Sequence, residues 1–322
     1  MVVEALWGPE RSAAQHARPF LRWAGGKQRW LSSNSSLLPR FDGKYFEPFL
    51  GGGSVFFHLI RSETRPFQAW LGDQNLQLIR AYNDIRNSLD EVLEDVRVIQ
   101  AAYSEARDKR RFYEDVRESF NDGLPKSNTA KFIFLNATCW NGLWRTNSNG
   151  TFNVPFGSPK SDDVMPSEGE LRNVSAALQH ARVRASSWEN LVASAGSGDF
   201  VFMDPPYYSD SLQKGSPKYG TRVFGYSTHK RLGEMLLLLQ QRGALFILTN
   251  SGEPEMVSLY RELGLSVRQV MVPRVINSKA QDRQPVGEVV VSNAGPQNTS
   301  SLSPGVLLDL EMIRKGKRLA QA

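Results

Sequence analysis

The chain predicts an α/β fold, a doubly wound open sheet carrying one inserted module, and three observations predict it. Short runs rich in β-branched and aromatic residues alternate with segments of helical apolar spacing. A glycine turn, Gly51-Gly52-Gly53, joins one such run to the helical segment after it. Between about 99 and 170 the alternation stops, and charged helices give way to a polar stretch rich in aromatics, Gly and Asn. With 322 residues, 40% hydrophobic and 22% charged, the chain can bury the core of one large domain or two ordinary ones.

Residues 1–18 carry little pattern and are expected to form a mobile N-terminus. Lys44 to Leu50 reads as a strand entering the glycines, and Ser54 to Arg61 continues with helical spacing. Ala69-Trp70-Leu71-Gly72 reads as a second strand ending at Asp73. Residues 74–98 read as one helix with Leu76, Ile79, Tyr82 and Ile85 on a face, which completes a βαβ unit. Asn141-Gly142 and Asn149-Gly150 are turn signals inside the inserted stretch. Sheet-like segments resume at Val201, at Ala244 to Leu248 and around Val286 to Val291, with a Leu-rich helix at 231–240. Residues 293–322 run through Ser, Asn, Pro and Gly to a basic tip, Arg314, Lys315, Lys317 and Arg318. A mobile tail is expected there, its tip a solvated charge run or a contact to a polyanion.

Lys plus Arg outnumber Asp plus Glu by 39 to 33, a net charge of +6 that suits a polyanionic partner. The single cysteine, Cys139, excludes an intramolecular disulfide and a Cys-rich metal site, which fits a reducing compartment. No run of 18 apolar residues occurs, so a soluble, cytoplasmic protein without a membrane partner is expected.

Asp204-Pro205-Pro206-Tyr207 follows the apolar run Phe200 to Met203 and reads as a strand ending at an acidic turn, where α/β sheets place ligands. The prolines hold the backbone extended and lack N–H groups, which leaves Asp204 and the Pro205 carbonyl to accept hydrogen bonds. An exocyclic amine on an aromatic ring donates two. Held by both acceptors, its lone pair leaves conjugation and becomes nucleophilic, while Tyr207 stacks on the ring. The competing reading is a proline-rich ligand of a WW-type domain, which the strand-like run upstream opposes. As a dinucleotide fingerprint the glycine turn fails, because Phe56 stands at its third glycine position. Asp73 sits where a carboxylate meets ribose hydroxyls, or caps a helix starting at Gln74. S-adenosylmethionine has that ribose and no pyrophosphate. Ala24-Gly25-Gly26-Lys27 lacks the spacing and the Ser/Thr of a Walker P-loop.

The segment Pro19 to Leu31, Glu47-Pro-Phe-Leu-Gly-Gly-Gly-Ser-Val-Phe56, Asp73 and Asp204-Pro-Pro-Tyr207 resemble, in content and order, the Dam-type (class alpha, D12) DNA adenine-N6 methyltransferases. The resemblance covers roughly residues 19–292. It implies a Rossmann-like S-adenosylmethionine-dependent sheet over 19–98 and 171–292, with 99–170 as an inserted helical and β-hairpin DNA-recognition domain. By that resemblance Trp23 and Lys27, with Gly25 and Gly26 between them, meet the methionine part of the cofactor. Glu47, Phe49, Gly51 and Gly53 belong to the cofactor turn, Asp73 takes the ribose, and Asp204 adjoins the sulfonium. Trp188 packs on the cofactor's adenine or lies in the core. The chain departs from the family in having Gly52 for Ala and Gln74 for Ile. Residues 136–157 resemble the family's recognition hairpin, whose shared core includes Asn141, Leu143, Arg145 and Asn147. Arg145 matches a guanine reader, and Leu143 and Pro155 match base contacts. Trp140 stands where the family intercalates a Tyr. A plain surface hairpin with cross-strand aromatics is the alternative. Arg22 matches a Lys that touches the first guanine, Tyr226 a contact to the flipped adenine, and Pro273-Arg274 and Lys279 lie near the DNA backbone.

The resulting expectation is methyl transfer from S-adenosylmethionine to N6 of a flipped-out adenine in double-stranded DNA, within GATC, by a direct displacement needing no metal. Relatives reading longer GAT-containing sites share much of the hairpin. Thr138 before Cys139 lacks the Pro-Cys of cytosine-C5 enzymes. A bacterial or phage monomer is expected, solitary or part of a restriction-modification pair. An amino-methyltransferase acting on RNA or protein and a catalytically silent DNA-binding protein are the alternatives.

Overall fold

The computed structural model of the chain describes residues 11–63, 65–122, 128–208, 224–272 and 286–294. Seven strands form one sheet: β1 Tyr45–Glu47, β2 Ala69–Asp73, β3 Ala181–Ala185, β4 Phe200–Met203, β5 Leu245–Ser251, β6 Val267–Val272 and β7 Val286–Ser292, in the order β3-β2-β1-β4-β5-β7-β6. The pairs β2/β3, β1/β4 and β4/β5 run parallel, while β7 lies antiparallel between β5 and β6. Strand order therefore reverses on either side of β1, and the glycine turn leaves the carboxyl end of β1 as Asp204 leaves that of β4.

Backbone proximity divides the described residues into two compact units, one holding 11–27 and Glu47–Val192, the other Gln28–Phe46 and everything described from Ala193 on. In the first, the helices are α1 Arg11–Ala14, α3 Ser54–Ser62, α4 Leu76–Asn87, α5 Leu89–Glu105, α6 Lys109–Asn121, α7 Asn128–Thr138, α8 Glu168–Leu178 and α9 Trp188–Val192. The second holds α2 Gln28–Asn34, α10 Tyr226–Gln241 and α11 Pro254–Glu262. The inserted stretch 99–170 groups with β2, β3 and the glycine turn.

Burial explains which strands the sequence displayed. Every residue of β1 and β4 is buried; β4 reads as a continuous apolar run, while β1 ends on the buried carboxylate of Glu47. In β3 only Ala181 and Val183 are buried, and Arg182 and Arg184 project from an edge strand, where charge blocks further pairing. The sequence pattern missed β3 for this reason, and it missed β6, the other edge strand, whose polar Arg268 and Gln269 interrupt its apolar residues.

Three expectations change. The single helix over 74–98 is two: Asn75 caps α4 by accepting from the N–H groups of Gln77 and Leu78, both at 3.0 Å, and the chain breaks at Ser88 before α5. Asn and Ser compete for the backbone, which favours such a break. Residues 11–18, read as part of a mobile terminus, carry α1, with Ala14 and Ala17 fully buried. The hairpin expected over 136–157 starts three residues later, because Asn136 to Thr138 complete α7. The rest of the expected N-terminal segment, the tail from 295 on, Pro273-Arg274 and Lys279 lie outside the described residues. Among the described residues no helix is long and apolar enough to cross a membrane.

Candidate functional site

The glycine turn is built by close approach. Gly51 and Gly53 have φ of 48° and 67°, the left-handed region that favours glycine. A Cβ at Gly51 would stand 2.8 Å from Trp23 Cδ1, so the turn closes over that indole. Asp73, half-buried at the end of β2, accepts from the N–H of Gly51 through Oδ2 at 3.1 Å and from the N–H of Asn75 through Oδ1 at 2.9 Å. Burial raises its pKa, opposed by those backbone donors. Since Asn75 caps α4, Asp73 is not the helix cap. Glu47 is buried and accepts from the N–H of Phe56 at 3.1 Å, bracing the first turn of α3 from within. Lys27 is buried and donates to the Gly25 carbonyl at 3.0 Å, while Gly25 and Gly26 are exposed. Phe49 is half-buried and Trp188 buried.

The stretch from Cys139 to Gly157 is an irregular hairpin. Its antiparallel bridges are Cys139 with Phe156 and Thr146 with Phe152. Asn147 makes the tip: its side chain accepts from the N–H groups of Asn149 and Thr151 at 3.0 Å, and its carbonyl takes the N–H of Gly150. Two buttresses hold the second arm against α6, namely Asn121, which trades two 2.9 Å bonds with the backbone of Phe152, and Tyr113, whose hydroxyl donates to the Val154 carbonyl at 2.8 Å. Trp144 stacks on Phe152, ring centres 4.3 Å apart, and on Trp23 at 6.4 Å. Outside this packing stand Trp140, 55% exposed, together with Asn141, Asn147 and Pro155. Leu143 and Arg145 are half-buried, and Arg145 Nε donates to Asn153 Oδ1 at 2.9 Å.

Arg22 joins this surface. The buried side chain of Asn136 accepts from its N–H at 2.8 Å and donates to its carbonyl at 2.7 Å, and a Cβ at Gly142 would lie 2.6 Å from Arg22 Cβ. Asn153 falls within the hairpin core that the resemblance marks, but its bond to Arg145 was not foreseen, and Asn136, whose partner Arg22 no local pattern reveals, was not singled out. The Cys139 thiol is buried, which pushes its pKa up to about 11 and leaves no thiolate nucleophile at neutral pH.

In the second unit, Asp204 Oδ1 accepts from the Thr249 hydroxyl at 2.7 Å. Pro205 is buried, Pro206 exposed, and Tyr207 half-buried with its hydroxyl donating to Glu288 Oε2 at 3.0 Å. Burial, then the charges of Asp204 and Glu288, hold the Tyr207 pKa well above the ordinary phenol value, so it remains a donor. The N–H of Tyr208 donates to Asn250 Oδ1 at 3.2 Å, and the Ser251 hydroxyl donates to the Tyr208 carbonyl at 2.8 Å. Tyr226 is 43% exposed at the start of α10, its ring 6.5 Å from that of Tyr208. Among the described residues no group of three or more His, Cys, Asp or Glu could hold a metal ion.

His229 on α10 is fully buried, with Nδ1 3.0 Å from Asn250 Nδ2. The amide donates, so Nδ1 is the acceptor and the proton sits on Nε2. Burial lowers its pKa from 6.5 to about 4, opposed by the Pro206 carbonyl. The neutral ring is the form the fold favours. Its contribution is therefore intact above pH 6.5 and lost as the pH falls towards 4, on the order of 3 kcal/mol in all. The melting temperature should fall more between pH 7 and 4.5 in the parent than in His229→Gln. Equal falls would assign acid sensitivity to other groups.

Residues 23–275 match the family model described as D12 class N6 adenine-specific DNA methyltransferase. The chain is 32% identical over 288 residues to the type II methyltransferase M.MjaIII of Methanocaldococcus jannaschii, covering 86% of this chain and 99% of that one. It is 30% identical over 285 residues to the type II methyltransferase M1.LlaDCHI of Lactococcus lactis subsp. cremoris, covering 86% and 96%. To the DNA adenine methylase of Escherichia coli it is 31% identical over 274 residues, covering 85% and 94%.

Proposed function

We propose, because this chain belongs to the D12 class of N6 adenine-specific DNA methyltransferases, that it methylates a flipped-out adenine within GATC using the Asp204 turn to orient the amine. The observation that carries the reading is the carboxylate at the end of β4, its plane set by Thr249, followed by two prolines and a pinned aromatic ring. Such a turn offers one charged and one carbonyl acceptor to an amine with two N–H groups. Drawn out of conjugation, the N6 lone pair is aimed for attack, and orientation supplies the rate. Tyr207 stacks on the adenine ring, and its raised pKa keeps it a neutral phenol beside the substrate.

The residues around the glycine turn fit S-adenosylmethionine. Two left-handed glycines bring backbone close where a Cβ would obstruct, and Asp73 is oriented by backbone donors on both oxygens, ready to accept from ribose hydroxyls. When bound, this cofactor supplies a methyl group activated by a sulfonium. Trp23, Lys27 and Asp73 would hold it, while Trp188 is buried, as its core reading has it. Adenine N6 is out of reach inside a duplex, so the base leaves the stack, and the exposed Trp140 fills the gap. Arg145 and Arg22 read guanines while Leu143 and Pro155 touch base edges. Residues 99–170 thus act as the recognition module of a monomer acting on double-stranded DNA.

Incubation with S-adenosylmethionine labelled in its methyl group tests this directly. Label is expected as N6-methyladenine in duplex oligonucleotides containing GATC. Label on adenines of unrelated sequence overturns the site, and transfer to RNA or protein in place of duplex DNA overturns the substrate.

A further inference from the structure

Glu288 is the anomaly of β7. Its strand reads Val286-Gly-Glu-Val-Val-Val-Ser292, an apolar run suited to a sheet interior, and a carboxylate in its middle has no part in forming the strand. Half-buried charge is costly unless a donor meets it, and the donor here is the Tyr207 hydroxyl at 3.0 Å. Bonds from a hydroxyl to a carboxylate are among the stronger ones, and this bond spans 81 residues of sequence to end on the aromatic of the Asp204 turn. Thr249 on β5 does the same for the other side chain of the turn. It is fully buried, and its hydroxyl reaches Asp204 Oδ1 at 2.7 Å. The register pairs Thr249 with Val290 and Ser251 with Glu288, so Thr249 and Glu288 occupy one face of the antiparallel β5/β7 pair. Asn250 and Ser251 meanwhile hold the backbone of Tyr208.

We propose that Glu288 and Thr249 are positioning residues for methyl transfer, Glu288 fixing the plane of the Tyr207 ring and Thr249 the plane of the Asp204 carboxylate. The inference rests on the assignment of Asp204 and Tyr207 as the groups that hold the adenine. Sliding or tilting of either by a fraction of an ångström misaligns the amine, whereas cofactor and DNA affinities, set elsewhere, stay as they are. Tyr207 donates throughout the working range because its pKa lies well above neutrality.

A double-mutant cycle on single-turnover methylation separates positioning from scaffolding. Glu288→Leu is expected to lower the rate about tenfold, with the KM for S-adenosylmethionine and the Kd for DNA unchanged. Glu288→Gln, which can still accept, restores most of the rate. Tyr207→Phe keeps the ring, removes only the hydroxyl, and shows a comparable loss. In the Tyr207→Phe background Glu288→Leu costs nothing further. Thr249→Val should lower the rate similarly and Thr249→Ser should not. An equal Glu288→Leu penalty in both backgrounds overturns the proposal, and so does a Tyr207→Phe rate within about twofold of the parent, an arm that needs no Glu288 variant to fold. Should Asp204→Ala retain its activity, the underlying assignment fails instead, whatever Glu288 does.

Discussion

Asp204→Ala is expected to lose methylation by more than about a hundredfold while duplex binding persists, because in the proposed mechanism the carboxylate orients the amine at the moment of attack and holds no phosphate. Removing one preorganised partner of a reacting group costs on that scale in sites where it has been isolated. The neighbourhood sharpens the expectation: Thr249 would lose its acceptor, and Tyr207, still pinned by Glu288, would keep the stacking platform without the anchor for the amine. Single-turnover transfer from labelled cofactor gives the rate, and fluorescence anisotropy with a labelled GATC duplex gives binding. A rate within tenfold of the parent removes Asp204 from the mechanism, and a parallel loss of binding makes it a scaffold residue.

Arg145→Ala is expected to relax sequence discrimination by ~1–3 kcal/mol at one guanine of GATC, leaving non-specific binding and its salt dependence nearly intact. The structure holds Arg145 in one orientation. Asn153 takes the Nε–H of Arg145 at 2.9 Å through its side chain and an Nη2 N–H at 3.5 Å through its carbonyl, which orients the guanidinium and leaves its remaining Nη N–H groups for the O6 and N7 of a guanine. Methylation of oligonucleotides carrying each single-base change is the measurement. Activity lowered equally on all of them would make Arg145 a backbone contact.

Two parts of the candidate site were legible as local structure because they are local. Gly51 to Gly53 between a strand and a helix, and an acidic turn after a wholly apolar strand, are patterns a few residues long. Their folded forms agree with the reading, down to the left-handed angles at Gly51 and Gly53. What escaped is non-local. Asn136 meets Arg22 across 114 residues, Thr249 meets Asp204 across 45, and Glu288 meets Tyr207 across 81. Nothing in the residues beside them marks an Asn on a helix or a Thr on a strand as a clamp. The sheet was legible where strands are buried on both faces, as β4 is, and illegible where an edge strand alternates with arginine, as in β3. Periodicity also overran the Ser88 break, since α4 and α5 keep helical spacing on both sides of it.

The position of β7 between β5 and β6 sets an order of events during synthesis. β6 leaves the ribosome before β7, yet β7 is its partner in the sheet, so β6 waits unpaired until the chain has passed Ser292. Only then does Glu288 reach the hydroxyl of Tyr207, more than eighty residues after that tyrosine was made. A nascent chain still short of β7 has its acidic turn without the Glu288 partner that Tyr207 has in the complete fold.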